Sequence, residues 1–234
     1  IKELVKNPFL IEVSELEGKW NISLLLVCNF IKEANETLEF IQQLTSNYLA
    51  DLVVMPTYSI SNLNRRFFSD YEPNLNNVKT GYNPLILNTS LIHLSGALKL
   101  SNEDIKLLDY IKLNARDSLE DIGNAINIDS TLVDYKIKKL ISSNLIKRFT
   151  IEVNSSVLGY EQYLLFLNLK GSNFGKKKLI EELRNIKEAY HYFEYLNYWE
   201  LVITFCVKNR DEMHKIFSNL QENYKDYIKN HEIL

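Results

Sequence analysis

Between Tyr135 and Arg148 the chain carries five basic residues, Lys136, Lys138, Lys139, Lys147 and Arg148, and no acidic one. Cations at that density suit close approach to phosphate, where each neutralised phosphate releases condensed counterions and supplies affinity that does not depend on sequence. Ser130, Thr131, Tyr135 and Ser142 stand among them, and hydroxyls of this kind bond to phosphate oxygens or base edges. A lysine-rich helix face also fits a plain solvated surface. Asp134 lies beside the set, and an acid there weakens phosphate attraction or rejects some partners.

These residues need a scaffold, and the spacing of apolar residues predicts one. A helix over Ser130–Ser142 turns Val133, Ile137, Leu140 and Ile141 inward; at 100° per residue Thr131, Tyr135, Lys138, Lys139 and Ser142 lie roughly opposite, with Lys136 on the flank. Asp129 is its expected cap. Ahead of it, a helix over Leu119–Ile126 has Ser118 as cap and Leu119, Ile122 and Ile126 inward, and Asn127 stands where the chain must reverse, a place suited to the left-handed conformation that Asn tolerates. A first helix over Asn102–Leu113, capped by Ser101, points Ile105, Leu108 and Ile111 inward. Leu145–Val153 reads as a strand, with Lys147 and Arg148 where a wing would meet the phosphate backbone. The expected element is a winged helix-turn-helix.

Charge is polarised within this segment. Residues 101–158 hold eight Lys/Arg and nine Asp/Glu, net −1, within a chain of net −3. The acids lie mostly in the first two helices and the bases in the third helix and the wing. With 46% apolar and 24% charged residues, 7 Gly and 4 Pro, the chain reads as globular, and disordered or low-complexity classes are excluded. The longest apolar stretch, Ile22–Cys28, falls far short of the roughly 20 residues a membrane helix needs. Cys28 and Cys206 sit in apolar runs and read as small buried side chains, consistent with a reducing, cytoplasmic setting. His93, His191, His214 and His231 show no paired spacing, so neither a metal site nor a cofactor is expected. The chain begins with Ile1, not Met, which reads as a missing natural N-terminus.

The chain also resembles itself. Aligning Trp20 with Trp199 matches Glu15 with Glu194 and Glu33 with Glu212. Each copy reads as strand, turn, apolar strand, helix, strand: Phe9–Glu15, Ile22–Cys28, Glu33–Thr45 and Leu52–Met55 in the first; Ala189–Glu194, Leu201–Val207, Asp211–Glu222 and Tyr227–Ile233 in the second. The second is preceded by a strand at Gln162–Lys170 and a helix opening near Gly175, which completes the β-α-β-β-α-β ferredoxin-like order. The first copy starts inside its first helix. The expected fold class is α+β: a winged helix-turn-helix flanked by two ferredoxin-like domains, the first incomplete at its N-terminus. The boundaries read 1–59 for the partial domain, 60–99 for a linker with a short strand at Ile92–Ser95, 100–158 for the winged helix and 159–234 for the second domain. The aromatic cluster Tyr190, Tyr192, Phe193, Tyr195, Tyr198 and Trp199 fits sheet core and rim, or an interface.

The run DSLEDIGNAINIDSTLVDYKIKKLISSNLIKRFTIEVNSSVLGY resembles the Lrp/AsnC family of transcription regulators, in its AINIDS turn, its YKIKKL helix followed by NLIKRF, and its LGY entry into the next domain. Archaeal members with tandem winged-helix and effector units look most similar. NYWELVITFCVKNRDEM resembles the family stretch in which a Gly-x-Trp/Tyr-Asp turn precedes a strand and a helix; here Asn197 and Glu200 replace the Gly and Asp, whereas the first copy has Gly18, Trp20 and Asn21. The resemblance implies a DNA-binding regulator on double-stranded DNA, homo-oligomers formed through effector-domain sheets, and an amino acid or related metabolite at the turns Gly18, Trp20, Asn21 and Asn197, Trp199, Glu200. Two alternatives stay open. Siroheme decarboxylases resemble the same two-domain plan, with Arg65, Arg66 and His93 as groups for a tetrapyrrole's carboxylates. The winged helix could also contact protein in place of DNA.

Overall fold

The computed structural model describes residues 3–28, 30–63, 67–68, 99–146, 149, 153–170 and 173–234. The chain divides into two compact units, one holding the segment from 99 to 154, the other holding residues up to 68 and from 155 to 234.

In the first unit three helices follow one another: α2 (Asn102–Ile111), α3 (Leu119–Ile126) and α4 (Ser130–Ser142). Each starts where a short polar side chain satisfies an otherwise orphaned amide. Ser101 Oγ accepts the Asp104 amide at 3.2 Å while Asp104 Oδ2 accepts the Ser101 amide at 2.9 Å, a reciprocal capping box. Ser118 Oγ accepts the Asp121 amide at 3.1 Å, and Asp129 Oδ1 accepts the Thr131 amide at 2.7 Å. Asn127 takes the left-handed conformation at φ 61°. Gly123 is required beside it, since a Cβ there would lie 2.6 Å from the Ile128 carbonyl oxygen. A second left-handed residue, Asn144, ends α4, with the Leu145 amide donating to the Leu140 carbonyl.

Leu107, Ile111, Ile122, Val133 and Leu140 form the core of this unit. Burying each is worth roughly 1.5–3 kcal/mol. Three expectations about it need correction. Ile105 is exposed and Leu107 takes its place, because α2 presents 104, 107, 108 and 111 inward, one face round from the expected stripe. Leu119 and Ile141 are exposed at the rim. The first helix stops at Ile111, leaving Leu113 exposed.

In the other unit β1 (Leu10–Glu15) and β2 (Ile22–Leu26) pair antiparallel, with Glu15 opposite Ile22, and helix α1 (Ile31–Thr45) follows. Strands β3 (Thr57–Asn62), β4 (Glu161–Leu169), β5 (Ala189–Tyr195), β6 (Leu201–Val207) and β7 (Ile228–Ile233) form a five-stranded antiparallel sheet in the order β3-β5-β6-β4-β7. With α5 (Asn173–Leu183) after β4 and α6 (Arg210–Tyr224) after β6, the last four strands and two helices have the ferredoxin-like topology. Alternate residues of the central strands, Leu165, Leu167, Leu201, Ile203, Phe205 and Val207, pack with Leu179, Leu183, Met213, Phe217 and Leu220 of the helices. Phe166, Trp199 and Val202 form a second cluster, joined by Met55, Leu164, Tyr195 and Leu234. Every residue of β6 is buried, as a strand covered on both faces requires.

The strand expected at Leu52–Met55 is absent. The chain runs without regular structure there and pairs one turn later, at Thr57–Asn62, where Thr57, Tyr58 and Ile60 supply the β-branched and aromatic residues that pairing favours. Residues 60–62, expected to open a linker, therefore belong to a strand, and that strand joins β5 of the second copy. The strand expected at Ile92–Ser95 lies outside the described residues. Among the aromatic cluster, Tyr192 and Trp199 are buried and Tyr198 is exposed.

Candidate nucleic-acid interface

The stripe on α4 that the sequence singled out divides in two. Thr131, Tyr135, Lys138, Lys139 and Ser142 are exposed, and Ser130 is half-buried at the helix start. At 100° per residue Thr131, Tyr135, Lys138, Lys139 and Ser142 fall within an arc of about 100°, so they share one side of the helix. Tyr135 is the prominent apolar element, 62% exposed. The face is internally bonded at both ends. The Thr131 hydroxyl donates to Asp129 Oδ1 at 2.5 Å, and that bond, before the Thr131 amide, holds the Asp129 carboxyl below the usual carboxylate range. Ser142 Oγ donates to the Lys139 carbonyl at 2.9 Å. Lys138 pairs with Asp134 one turn back at 2.5 Å, so its charge is partly spent on the helix itself.

Lys136 is a correction. Expected on the flank of this face, it is buried, with 8% of its surface exposed. Its ammonium donates to Asp104 Oδ1 at 2.8 Å and to Ser101 Oγ at 3.2 Å, and lies 3.0 Å from Glu103 Oε2. An ammonium has three donors, and here three acceptors from the start of α2 surround it. The Lys136 bond is the largest influence holding the Asp104 carboxyl down at about 2, and the same bond raises the lysine. The sequence did contain a signal: Lys136 lies three residues after Val133 and four before Leu140, on the inward stripe. Its partners Ser101, Glu103 and Asp104 were missed because they are more than 30 residues away. Lys147 and Arg148 lie outside the described residues, as do Arg65, Arg66 and His93; of the wing strand expected at Leu145–Val153, the described residues 145, 146, 149 and 153 are in no strand.

The turns singled out in the other unit occupy equivalent places, each linking the two strands of a hairpin. In the β1–β2 turn Gly18 has φ +126°, and a Cβ there would come 2.7 Å from Leu234 Cδ2. Trp20 is half-buried with the Lys19 ammonium 5.1 Å from its ring centre; Asn21 is exposed. In the β5–β6 turn Tyr198 is left-handed at φ 62° and its carbonyl accepts from Asn168 Nδ2 at 3.0 Å. Asn197 and Glu200 are exposed, while Trp199 is buried beside Phe166, ring centres 5.8 Å apart. Leu234 touches the first turn and packs against the cluster that holds Trp199. The indole Nε1 of Trp199 is buried without a hydrogen-bond partner among the described residues, an unusual state for a buried donor.

Among the described residues no group of His, Cys, Asp and Glu is arranged to hold a metal ion, and no helix is long and apolar enough to cross a membrane.

No family model matches the chain. Among curated proteins it is 28% identical over 119 residues to an uncharacterised HTH-type transcriptional regulator of Pyrococcus abyssi, a match spanning 50% of this chain and 79% of the relative. It is 25% identical over 114 residues to the HTH-type transcriptional regulator FL11 of Pyrococcus furiosus, spanning 49% and 75%. With the HTH-type transcriptional regulator LrpC of Bacillus subtilis it shares 26% over 95 residues, spanning 40% and 66%. Among solved structures, AsnC of E. coli superposes with a TM-score of 0.52 at 18% identity, covering 58% of this chain and 91% of that one. The transcriptional regulator NMB0573 of Neisseria meningitidis, solved as a complex with L-Met, gives 0.54 at 9% identity, covering 58% and 88%. At these identities the structural likeness concerns the fold.

Proposed function

We propose, from the premise that the chain is an Lrp/AsnC-family regulator over the half of its length these relatives match, that it is a sequence-specific DNA-binding transcription regulator and not an enzyme. The observation that supports this most is the exposed face of Thr131, Tyr135, Lys138, Lys139 and Ser142 on a helix fixed at both ends. A helix of this width enters a major groove, its hydroxyls and lysines reaching base edges and phosphates. Lys147 and Arg148 add backbone contacts in this reading. Replacing Lys138 and Lys139 together by Ala is expected to reduce affinity for duplex DNA at least tenfold and to flatten the salt dependence by roughly 0.9 per lost phosphate contact. Fluorescence anisotropy across a salt series reads both, and parent-level affinity and slope in the double variant would dismiss this face.

In the same reading the hairpin turns carry a small-effector site, at Gly18, Trp20 and Asn21 and at Asn197, Trp199 and Glu200. The unpartnered Trp199 indole N–H supports it, because a carboxylate or carbonyl acceptor would complete that donor. An amino acid is the class suggested by the L-Met complex of the Neisseria relative in fold. A thermal-shift panel of amino acids tests this: a ligand that stabilises the parent and not Trp199→Phe supports the site, and no stabilisation by any of them removes it. Assembly into homo-oligomers through the effector-domain sheets belongs to the same proposal, checked by light scattering.

One observation favours a second reading. With Lys136 buried and Lys138 paired to Asp134, the face is less cationic than the sequence suggested, as a protein-contacting winged helix would be. DNA affinity and salt slope left unchanged when Lys138 and Lys139 are replaced would favour it.

A further inference from the structure

Lys136 occupies a position on α4 where an apolar side chain would ordinarily sit. Val133 and Leu140, three residues before and four after, are almost wholly buried in the core of their unit. Between them the ammonium reaches the first turn of α2 and bonds to Ser101 and Asp104, with Glu103 at ion-pair distance. Asp104 serves two elements at once: Oδ2 accepts the Ser101 amide that starts α2, and Oδ1 accepts Lys136 from the middle of α4. Leucines and valines alone tolerate small rotations of a packed helix, because dispersion and burial are non-directional. A buried ion pair with every donor engaged does not, since moving either partner strands a charge. A step of one residue turns the helix by about 100°, which would carry Tyr135 and Lys139 away from the surface they now share.

We infer that Lys136 and Asp104 form a positioning pair that fixes the rotation of α4 on α2 and so decides which side chains the helix presents, with Lys136 itself making no contact to the nucleic acid. The role in recognition rests on the DNA-binding reading above; the fixing of α4 does not. The pair acts on sequence discrimination through geometry, whereas Lys138 and Lys139 act on affinity through charge.

The test uses the full chain and four forms: parent, Lys136→Arg, Lys136→Met and the double variant Asp104→Leu/Lys136→Met. Affinities for the best-bound duplex selected from a random pool and for a scrambled duplex are measured across a salt series, on protein confirmed as folded by circular dichroism. The double variant is expected to lose about tenfold or more of its discrimination with the salt slope unchanged, and Lys136→Arg to retain it. A merely structural role would leave discrimination by folded protein where it was. Parent-level discrimination in the double variant overturns the inference, as does a salt slope smaller by about 0.9 in the single variant Lys136→Met, which would put Lys136 on a phosphate. If the double variant does not fold, Asp104→Asn/Lys136→Met, which keeps an acceptor for the Ser101 amide, carries the same expectations. If the parent discriminates among no sequences, the DNA-binding reading fails and the pair is judged without DNA. Broadened or doubled amide signals over Thr131–Ser142 in the double variant then uphold it, and a single sharp set at parent positions overturns it.

Discussion

The two copies of the strand–turn–strand–helix–strand pattern share an order of elements and little else. In the second, α6 buries Met213, Phe217, Leu220 and Tyr224, and β6 is buried along its whole length. In the first, α1 buries only Thr37 and Ile41 among its described residues, β2 has no buried residue, and Phe30, Ile31, Phe40 and Leu44 are exposed. The last strands part company as well: β7 pairs with β4, the strand that precedes its own copy, whereas β3 pairs with β5 of the other copy. The second copy has β4 and α5 ahead of it, and these supply the layer against which its hairpin and helix bury their apolar sides. A pattern of elements becomes a core only where the opposing layer is present.

Truncating the core tests that contrast most severely. Phe205→Ala is expected to cost about 3–5 kcal/mol and Ile41→Ala no more than about 2, read by denaturant unfolding; equal losses would break the comparison. Gly18→Ala comes next. It forces a Cβ onto a left-handed backbone and against Leu234, with an expected cost of about 1–3 kcal/mol, and a neutral outcome would show the first hairpin to be independent of the β7 end. The attachment of β3 sharpens the comparison further. Tyr58, Lys176 and Glu194 bond mutually, Lys176 Nζ lying 2.6 Å from both Tyr58 Oη and Glu194 Oε2. Lys176→Met is expected to speed amide exchange in Thr57–Asn62 about tenfold and to leave β6 unchanged.

The smallest effect lies outside both copies. Lys136 holds the Asp104 carboxyl at about 2 against an ordinary 3.8. A depressed carboxyl stabilises the fold above its unfolded value and ceases to do so as pH falls through the folded one. Amide signals of α2 and α4 should therefore weaken between about pH 4 and pH 2 ahead of those of β4–β7, and Asp104→Asn should remove that step.

What the sequence revealed divides by range. The bounds of α3 and α4, the caps Ser101, Ser118 and Asp129, and the left-handed Asn127 were legible because each depends on neighbours within a few residues. So was the order of the second ferredoxin-like copy, whose strands carry long apolar runs. The fate of Lys136 was not, since burying a lysine depends on an acid on another helix, and charge counting cannot tell a cation facing solvent from one facing its partner. Nor was the pairing of β3, because Thr57–Asn62 is equally suited to any open sheet edge and only the assembled fold offers β5.

The union of β3 with β5 sets a condition on time. Tyr58 and Glu194, which bond at 2.9 Å, are 136 residues apart in the chain. Closing a loop of that size costs roughly 4 kcal/mol in chain entropy, with nothing recovered until both ends are in place. On the ribosome, β3 is made long before its partner and must wait, unpaired, while the rest is synthesised. The sheet is therefore expected to assemble from its late-made strands outward and to receive its earliest-made strand last, an order that pulse-labelled hydrogen exchange during refolding would display as late protection of Thr57–Asn62.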